Sequence, residues 1–179
     1  MKDLNIIFAG FGGQGVLFAG KVMAYTGLIE DKHISWLPSY GPEMRGGTAN
    51  CSVCISDMEV GSPLVTEPNV LVAMNLPSLD KFIEDVEKDG IVIVDSSLVD
   101  KKIERSDVRV FYVPASVLAE ENGLKGLSNM ILVGKVFKEV GFAPEETLDK
   151  AIESCVPSSK AHLLEFNKKA VKLGADYSA

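Results

Sequence analysis

The sequence predicts an α/β fold: a Rossmann-like, doubly wound, mainly parallel sheet with a helical C-terminal part. Three observations predict it. Short apolar runs, the mark of strands buried on both faces, recur at residues 4–9, 70–74 and 91–94. Segments of helical spacing lie between several of them. The first run ends in a glycine cluster that opens a helix, and strands alternating with helices imply a parallel sheet covered on both sides.

The elements follow in order. Leu4-Asn5-Ile6-Ile7-Phe8-Ala9 reads as the first strand, and Val16, Ala19, Val22 and Met23 then share one face of a helix. Glu30 and Asp31 read as a turn, and residues 33–37 as a second short strand closed by Pro38. Residues 38–50 follow neither period and are long for a connection, as functional loops often are. Strand character resumes at 51–55, turns at Ser56-Asp57, and returns at 70–74. Leu79, Phe82, Ile83 and Val86 predict an amphipathic helix running to Asp89-Gly90, with glycine as the stop signal. Strands at 91–94 and 108–113 precede helices at 117–122, 129–140, 144–154 and 160–173. Pro144 followed by Glu145-Glu146 suits a helix start. No internal repeat or linker divides the chain, so residues 1–179 are expected to form a single domain.

Composition narrows the function classes. The net charge of −7 opposes binding to phosphate backbones, so no nucleic-acid partner is expected. No apolar run approaches the ~20 residues that span a bilayer, and no secretory leader is legible, so no membrane association and a cytoplasmic location are expected. Three cysteines are too few for the four thiolates of an iron–sulfur cluster within one chain. Cys51 and Cys54 have C-x-x-C spacing, but residues three apart on a strand point to opposite faces, so both read as half-buried strand residues. His33 and His162 read as structural, and no nucleophile–base set is assembled. No catalytic or metal-ligating residue is expected.

Two loops carry the candidate site. Gly10-Phe11-Gly12-Gly13-Gln14-Gly15 fits G-x-G-x-x-G between strand and helix, where main-chain N–H groups can meet a phosphate. A dinucleotide enzyme also places an acid after its second strand. Here that strand runs into Leu37-Pro38-Ser39. A stand-alone NAD(P)-linked oxidoreductase therefore remains as the alternative, beside a tight turn used for packing, an anion or a subunit contact. The second loop, Ser39-Tyr40-Gly41-Pro42-Glu43-Met44-Arg45-Gly46-Gly47-Thr48-Ala49-Asn50, brackets one acid and one guanidinium with glycines. Arg45 offers bidentate recognition of carboxylate or phosphate, and a local Glu43–Arg45 pair is the competing reading. Trp36 and Leu37 beside it suit either an interface, including self-association, or the core.

These two loops, with Ser56-Asp57, Ser62-Pro63, residues 71–75, Asp95-Ser96-Ser97, Asn129-Met130 and Gly134, resemble the gamma subunit of 2-oxoacid:ferredoxin oxidoreductases. The resemblance covers roughly residues 6–141. It implies a chain that is not catalytic alone but completes a complex oxidising a 2-oxoacid to an acyl-coenzyme A and reducing ferredoxin. It implies alpha and beta partner subunits, with a ferredoxin-like delta subunit in some assemblies, that carry thiamine diphosphate and the iron–sulfur clusters. Ferredoxin itself would be met only indirectly. Cofactor or subunit contacts are then expected at Gly10, Gly12, Gly13, Gln14, Gly15, Tyr40, Glu43, Arg45 and Asn50, with coenzyme A as the ligand for the glycine loop.

Overall fold

The computed structural model describes residues 3–39 and 48–178. Six strands form one sheet in the order β2-β3-β1-β4-β5-β6. They are β1 (Leu4–Phe11), β2 (His33–Ser39), β3 (Thr48–Ser56), β4 (Val70–Ala73), β5 (Ile91–Asp95) and β6 (Arg109–Val113). β1, β4, β5 and β6 run parallel, while β3 is antiparallel to both β1 and β2. The mainly parallel sheet expected from the apolar runs is present, with one reversed strand inserted beside β1.

The parallel strands read as unbroken apolar runs because both faces are covered. Ile6, Phe8, Val72 and Ile93 pack on the side of α1 (Val16–Ile29), while Ile7, Leu71, Val92 and Val94 pack on the other. The first side also receives α3 (Ala115–Glu121), α4 (Ser128–Val140), α5 (Glu145–Cys155) and α6 (Leu164–Asp176). The second side has one short helix, α2 (Leu76–Phe82), and is completed by Val60, Val65, Val99 and Ile103 from the connecting segments.

α2 corrects one expectation. The helix predicted to reach Asp89-Gly90 ends at Phe82 and tightens into a 3₁₀ turn over Ile83–Asp85. Arg105 explains the early stop. Its Nη1 donates to the carbonyls of Ile83 (2.8 Å) and Val86 (2.9 Å), satisfying acceptors that another helical turn would have used. Gly90 belongs to the entry into β5: its N–H bonds the Glu87 carbonyl, and Asp89 takes the positive φ of 65°. Residues 30–31 turn as expected, and the Glu30 carboxylate accepts the Thr147 hydroxyl at 2.5 Å.

The C-terminal helices are held by backbone contact between α4 and α6. A Cβ on Gly134 would lie 1.9 Å from the Val171 carbonyl oxygen, and one on Gly174 would lie 1.7 Å from that of Ile131. Neither helix can accept a methyl group there without moving apart, and interiors packed like crystals forfeit contacts when they do. Gly134→Ala and Gly174→Ala should each lower stability by about 2–3 kcal/mol in urea unfolding. An unchanged midpoint for both would show that the crossing carries no strain.

Candidate functional site at the carboxyl edge of the sheet

β1 leads to α1 on one face, and its parallel neighbour β4 leads to α2 on the other. The chain therefore diverges between these strands, making the topological switch point at which open α/β sheets bind ligands. Residues 10–15 and Asn75 flank it, Asp95-Ser96-Ser97 follow β5 at the same edge, and the antiparallel β3 starts there too, with Thr48 opposite Phe11. Ser39 pairs with Asn50, so both ends of the 40–47 connection reach this edge. Tyr40, Glu43 and Arg45 lie outside the described residues.

Gln14 organises the glycine loop. Its Oε1 accepts the Phe11 N–H at 2.5 Å and the Asn75 side-chain amide at 3.4 Å, while its Nε2 donates to the Met74 carbonyl at 3.2 Å. One carboxamide thus ties the β1–α1 turn to the β4–α2 turn across the switch point. Gly10 makes room for it, since a Cβ there would meet Gln14 Oε1 at 2.7 Å. Asn75 in turn caps α2, accepting the Ser78 N–H at 2.8 Å.

The loop's exit into α1 is equally constrained. Gly15 sits at φ 75° immediately before the helix, and a Cβ there would come within 2.5 Å of Asn129 Nδ2. That amide donates to the Gly15 carbonyl at 3.0 Å, joining α4 to the loop from behind. Gly13, at φ 95°, has open space where a side chain would stand. Among the described residues, no acceptor takes the N–H groups of Gly13, Gly15, Val16, Leu17 or Phe18, and the first helical bond is Ala19 N–H to the Gly15 carbonyl at 3.0 Å. Residues 11–15, 75–77 and 96–98 include no Lys or Arg, so the loop presents main-chain donors without side-chain charge.

Asp95 orders the neighbouring loop. It is fully buried, its Oδ2 accepts the Ser116 hydroxyl at 2.6 Å, and its Oδ1 accepts the N–H groups of Ser97 (3.1 Å) and Ser116 (3.3 Å). This carboxylate fastens the start of α3 to the end of β5. Sequence reading named the Asp-Ser-Ser run but not Ser116, whose part depends on a contact 21 residues away.

The candidate residues separate by face. Asn50 stands on the α2 side of β3, because its neighbours Ala49 and Cys51 face α1. It shares the edge with the glycine loop but not the α1 side. Cys51 and Cys54 point to opposite faces as expected, but both are buried rather than half-buried. Burial pushes the Cys51 thiol up to about 12 and Cys155 up to about 11. Cys51 touches the Val16 carbonyl, and the indole of Trp36 lies beside it. Neither sulfur of the C-x-x-C spacing is placed to share an ion with the other, and the described residues contain no group of three metal-ligating side chains. His33 and His162 are exposed. Among the described residues, no helix is long and apolar enough to cross a membrane.

The β-strand order also separates this loop from a dinucleotide site. There the second strand lies parallel and adjacent to the first, bringing its terminal acid to the ribose. Here β3 intervenes, so the end of β2 is two strand spacings, about 10 Å, from β1.

These features define a Rossmann-like α/β domain whose described residues offer a shaped backbone, without Lys, Arg or a pair of thiols, at its switch point. The chain belongs to the pyruvate ferredoxin/flavodoxin oxidoreductase family, whose model matches residues 5–177. It is 41% identical over 179 residues to ketoisovalerate oxidoreductase subunit VorA of Methanothermobacter marburgensis, covering 99% of this chain and 37% of that protein. The chain thus spans little more than a third of that relative. It is 34% identical to 2-oxoglutarate synthase subunit KorC of Methanocaldococcus jannaschii, covering 92% of this chain and 90% of that one. Among solved structures, the keto/oxoacid ferredoxin oxidoreductase gamma subunit of Geobacter sulfurreducens superposes with a TM-score of 0.84 at 31% identity, over 97% of this chain and 95% of that one. A 2-oxoglutarate:ferredoxin oxidoreductase of Magnetococcus marinus, with 2-oxoglutarate, coenzyme A and succinyl-CoA bound, shares the fold at a TM-score of 0.85 and 22% identity, over 98% of this chain and 31% of that one.

Two measurements test this geometry. Gln14→Ala removes an acceptor from the Phe11 N–H and a donor from Met74, and should cost about 1–2 kcal/mol while speeding exchange of the Phe11 amide. Unaltered exchange would mean that the carboxamide is not the bridge. Cys51 is protonated more firmly folded than unfolded, since its thiol rises from 9.0 to about 12. Its contribution is complete below pH 9 and is lost between pH 9 and about 12, at about 1.4 kcal/mol per pH unit. The alkaline slope of stability should therefore be shallower in Cys51→Ala than in the parent; equal slopes would refute burial of the thiol.

Proposed function

We propose that the chain serves as the gamma component of a 2-oxoacid:ferredoxin oxidoreductase, not as an enzyme acting alone. The observation that carries this reading is the Gln14-braced glycine loop at the switch point, where the described residues leave main-chain donors without an acceptor and place no pair of cysteines together. Such a site can hold and orient an anion but supplies no electron carrier. The full-length likeness to gamma subunits and to KorC supports the same reading.

The division of labour follows from the donor sets. The cysteines do not fit an iron–sulfur cluster, because Cys51 and Cys54 are buried on opposite faces. In this reading thiamine diphosphate and the clusters reside on alpha, beta and, in some assemblies, delta partners, which also meet ferredoxin. In this reading the loop formed by Gly10, Gly12, Gly13, Gln14 and Gly15 receives a phosphate: Gly13 has open space where a side chain would stand, and the N–H groups at a helix start favour an anion. Coenzyme A would present its phosphates there and accept the acyl group at its thiol. In this role Gln14 shapes the loop, its oxygen being shared by two donors already. Arg45 would supply the charge that the described loops lack, and Tyr40, Glu43 and Asn50 would contact the partner subunits.

Substrate choice belongs to the partners. A Pyrococcus abyssi relative, 29% identical, is named the common gamma subunit of pyruvate and ketoisovalerate oxidoreductases, which fits one gamma component serving different 2-oxoacids. The assembly is expected in the cytoplasm.

Affinity purification of the native chain should recover larger polypeptides bearing thiamine diphosphate and iron–sulfur clusters. In that complex, Arg45→Ala should raise the KM for coenzyme A about 10- to 100-fold, the worth of a charge-assisted bidentate contact. A purified chain lacking such partners would overturn the reading. Unchanged assembly and turnover in the variant would remove Arg45 from the site.

A further inference from the structure

Asn129 lies behind the glycine loop in the first turn of α4, and its side chain uses its two polar atoms unequally. The residue is only 4% exposed. Nδ2 donates to the Gly15 carbonyl at 3.0 Å, while Oδ1 is buried and meets no donor among the described residues. A buried acceptor without a partner is costly, so an apolar side chain would fill the same space at lower free energy. Packing alone therefore does not account for an amide here. Its contact is with the loop: a Cβ on Gly15 would lie 2.5 Å from Asn129 Nδ2 and 3.5 Å from Oδ1.

The carbonyl that Asn129 holds belongs to a peptide with a second polar group. Gly15 C=O and Val16 N–H share one planar trans unit, so they point in opposite directions. The carbonyl accepts both the Ala19 N–H and Asn129 Nδ2, each at 3.0 Å. With the carbonyl fixed from the helix body and from α4, the Val16 N–H is fixed outward at the mouth of α1. Gly15 cannot impose this orientation itself, because it sits at φ 75° and has no side chain to restrict its backbone. Asn129 can, because its helix is rigidly placed. The next four residues, Met130 to Val133, are fully buried in the core, and Gly134 sits against the backbone of α6.

We propose that Asn129 is a positioning residue of the anion site: acting through the Gly15 carbonyl, it aims the Val16 N–H at a phosphate of the ligand. The inference rests on the reading of the glycine loop as a phosphate site and adds to it a residue 114 positions away. Asn129 works through the backbone, not by touching the ligand. A carbonyl bonded by two donors polarises its peptide, which makes the attached N–H a stronger donor. The coupling runs both ways. An anion drawing on the Val16 N–H makes the Gly15 carbonyl a better acceptor and tightens its bond to Asn129.

Inorganic pyrophosphate, titrated into the isotope-labelled full chain and followed by NMR, is the probe. In the parent, the Val16 amide and the Asn129 side-chain amide should shift with one midpoint, and hydrogen exchange at the Asn129 amide should slow. Asn129→Ala removes the donor and should weaken binding at least about tenfold, the loss of one hydrogen bond to a charged group. Asn129→Asp keeps the shape without the donor and should also bind weakly, whereas it would replace a side chain that only filled space. Parent-like affinity in either folded variant would overturn the inference and leave the phosphate reading standing. So would a parent that binds pyrophosphate with no response at Asn129, a readout that decides the matter even if both variants fail to fold. A parent that binds no pyrophosphate would overturn the inference and the phosphate reading together.

Discussion

The glycine loop has the shape described here because one carboxamide spans two diverging turns. Gln14 bonds backward to Phe11 and across to Met74 and Asn75, so the β1–α1 and β4–α2 turns are positioned together. Asn129 holds the Gly15 carbonyl from the far side. Each glycine then has a local reason. Gly10 yields space to the carboxamide, and Gly15 supplies a positive φ where Asn129 leaves no room for a Cβ. A phosphate-binding loop in a dinucleotide enzyme needs the same backbone freedom, which is why the motif by itself left both chemistries open.

Legibility in the sequence tracked the range of the interactions. β1, β4 and β5 were plain from their apolar runs, since burial on both faces leaves no other composition workable. The strand-to-helix context of the glycine loop was local and therefore readable. The premature end of α2 was not, because Arg105 acts on carbonyls 19 and 22 residues away. Nor did any local pattern show that β3 reverses direction and inserts between β2 and β1, a choice made by pairing across the sheet. The same is true of Asn129 and Ser116: their types are unremarkable in sequence, and their roles arise from contacts with Gly15 and Asp95.

The inserted strand changes what the loop can do. With β3 beside β1, the connection between β2 and β3 begins and ends at the carboxyl edge, next to the glycine loop. That position in a dinucleotide fold would be filled by the end of a parallel second strand and its ribose-binding acid. Here it is filled by the ends of a loop whose sequence carries Arg45 and Glu43. The place of the adenosine ribose in a dinucleotide fold is thereby taken by the ends of a connection whose sequence is flanked by glycines.

Rigidity behind the edge complements that exchange. Asp95 anchors α3, Asn75 caps α2 and Gln14 closes the gap between the first two turns, so the described part of the edge is held by buried or partly buried polar contacts. Binding to a preformed surface avoids the ordering cost that a loose loop would add on association. Under the proposed gamma-component function, the domain would contribute to redox chemistry through such pre-organisation, fixing where an anionic ligand can rest while the reacting groups arrive from partner subunits. The buried thiol of Cys51, held protonated between α1 and β3, fits that assignment, because a thiol raised to about 12 packs as an apolar group and not as a nucleophile.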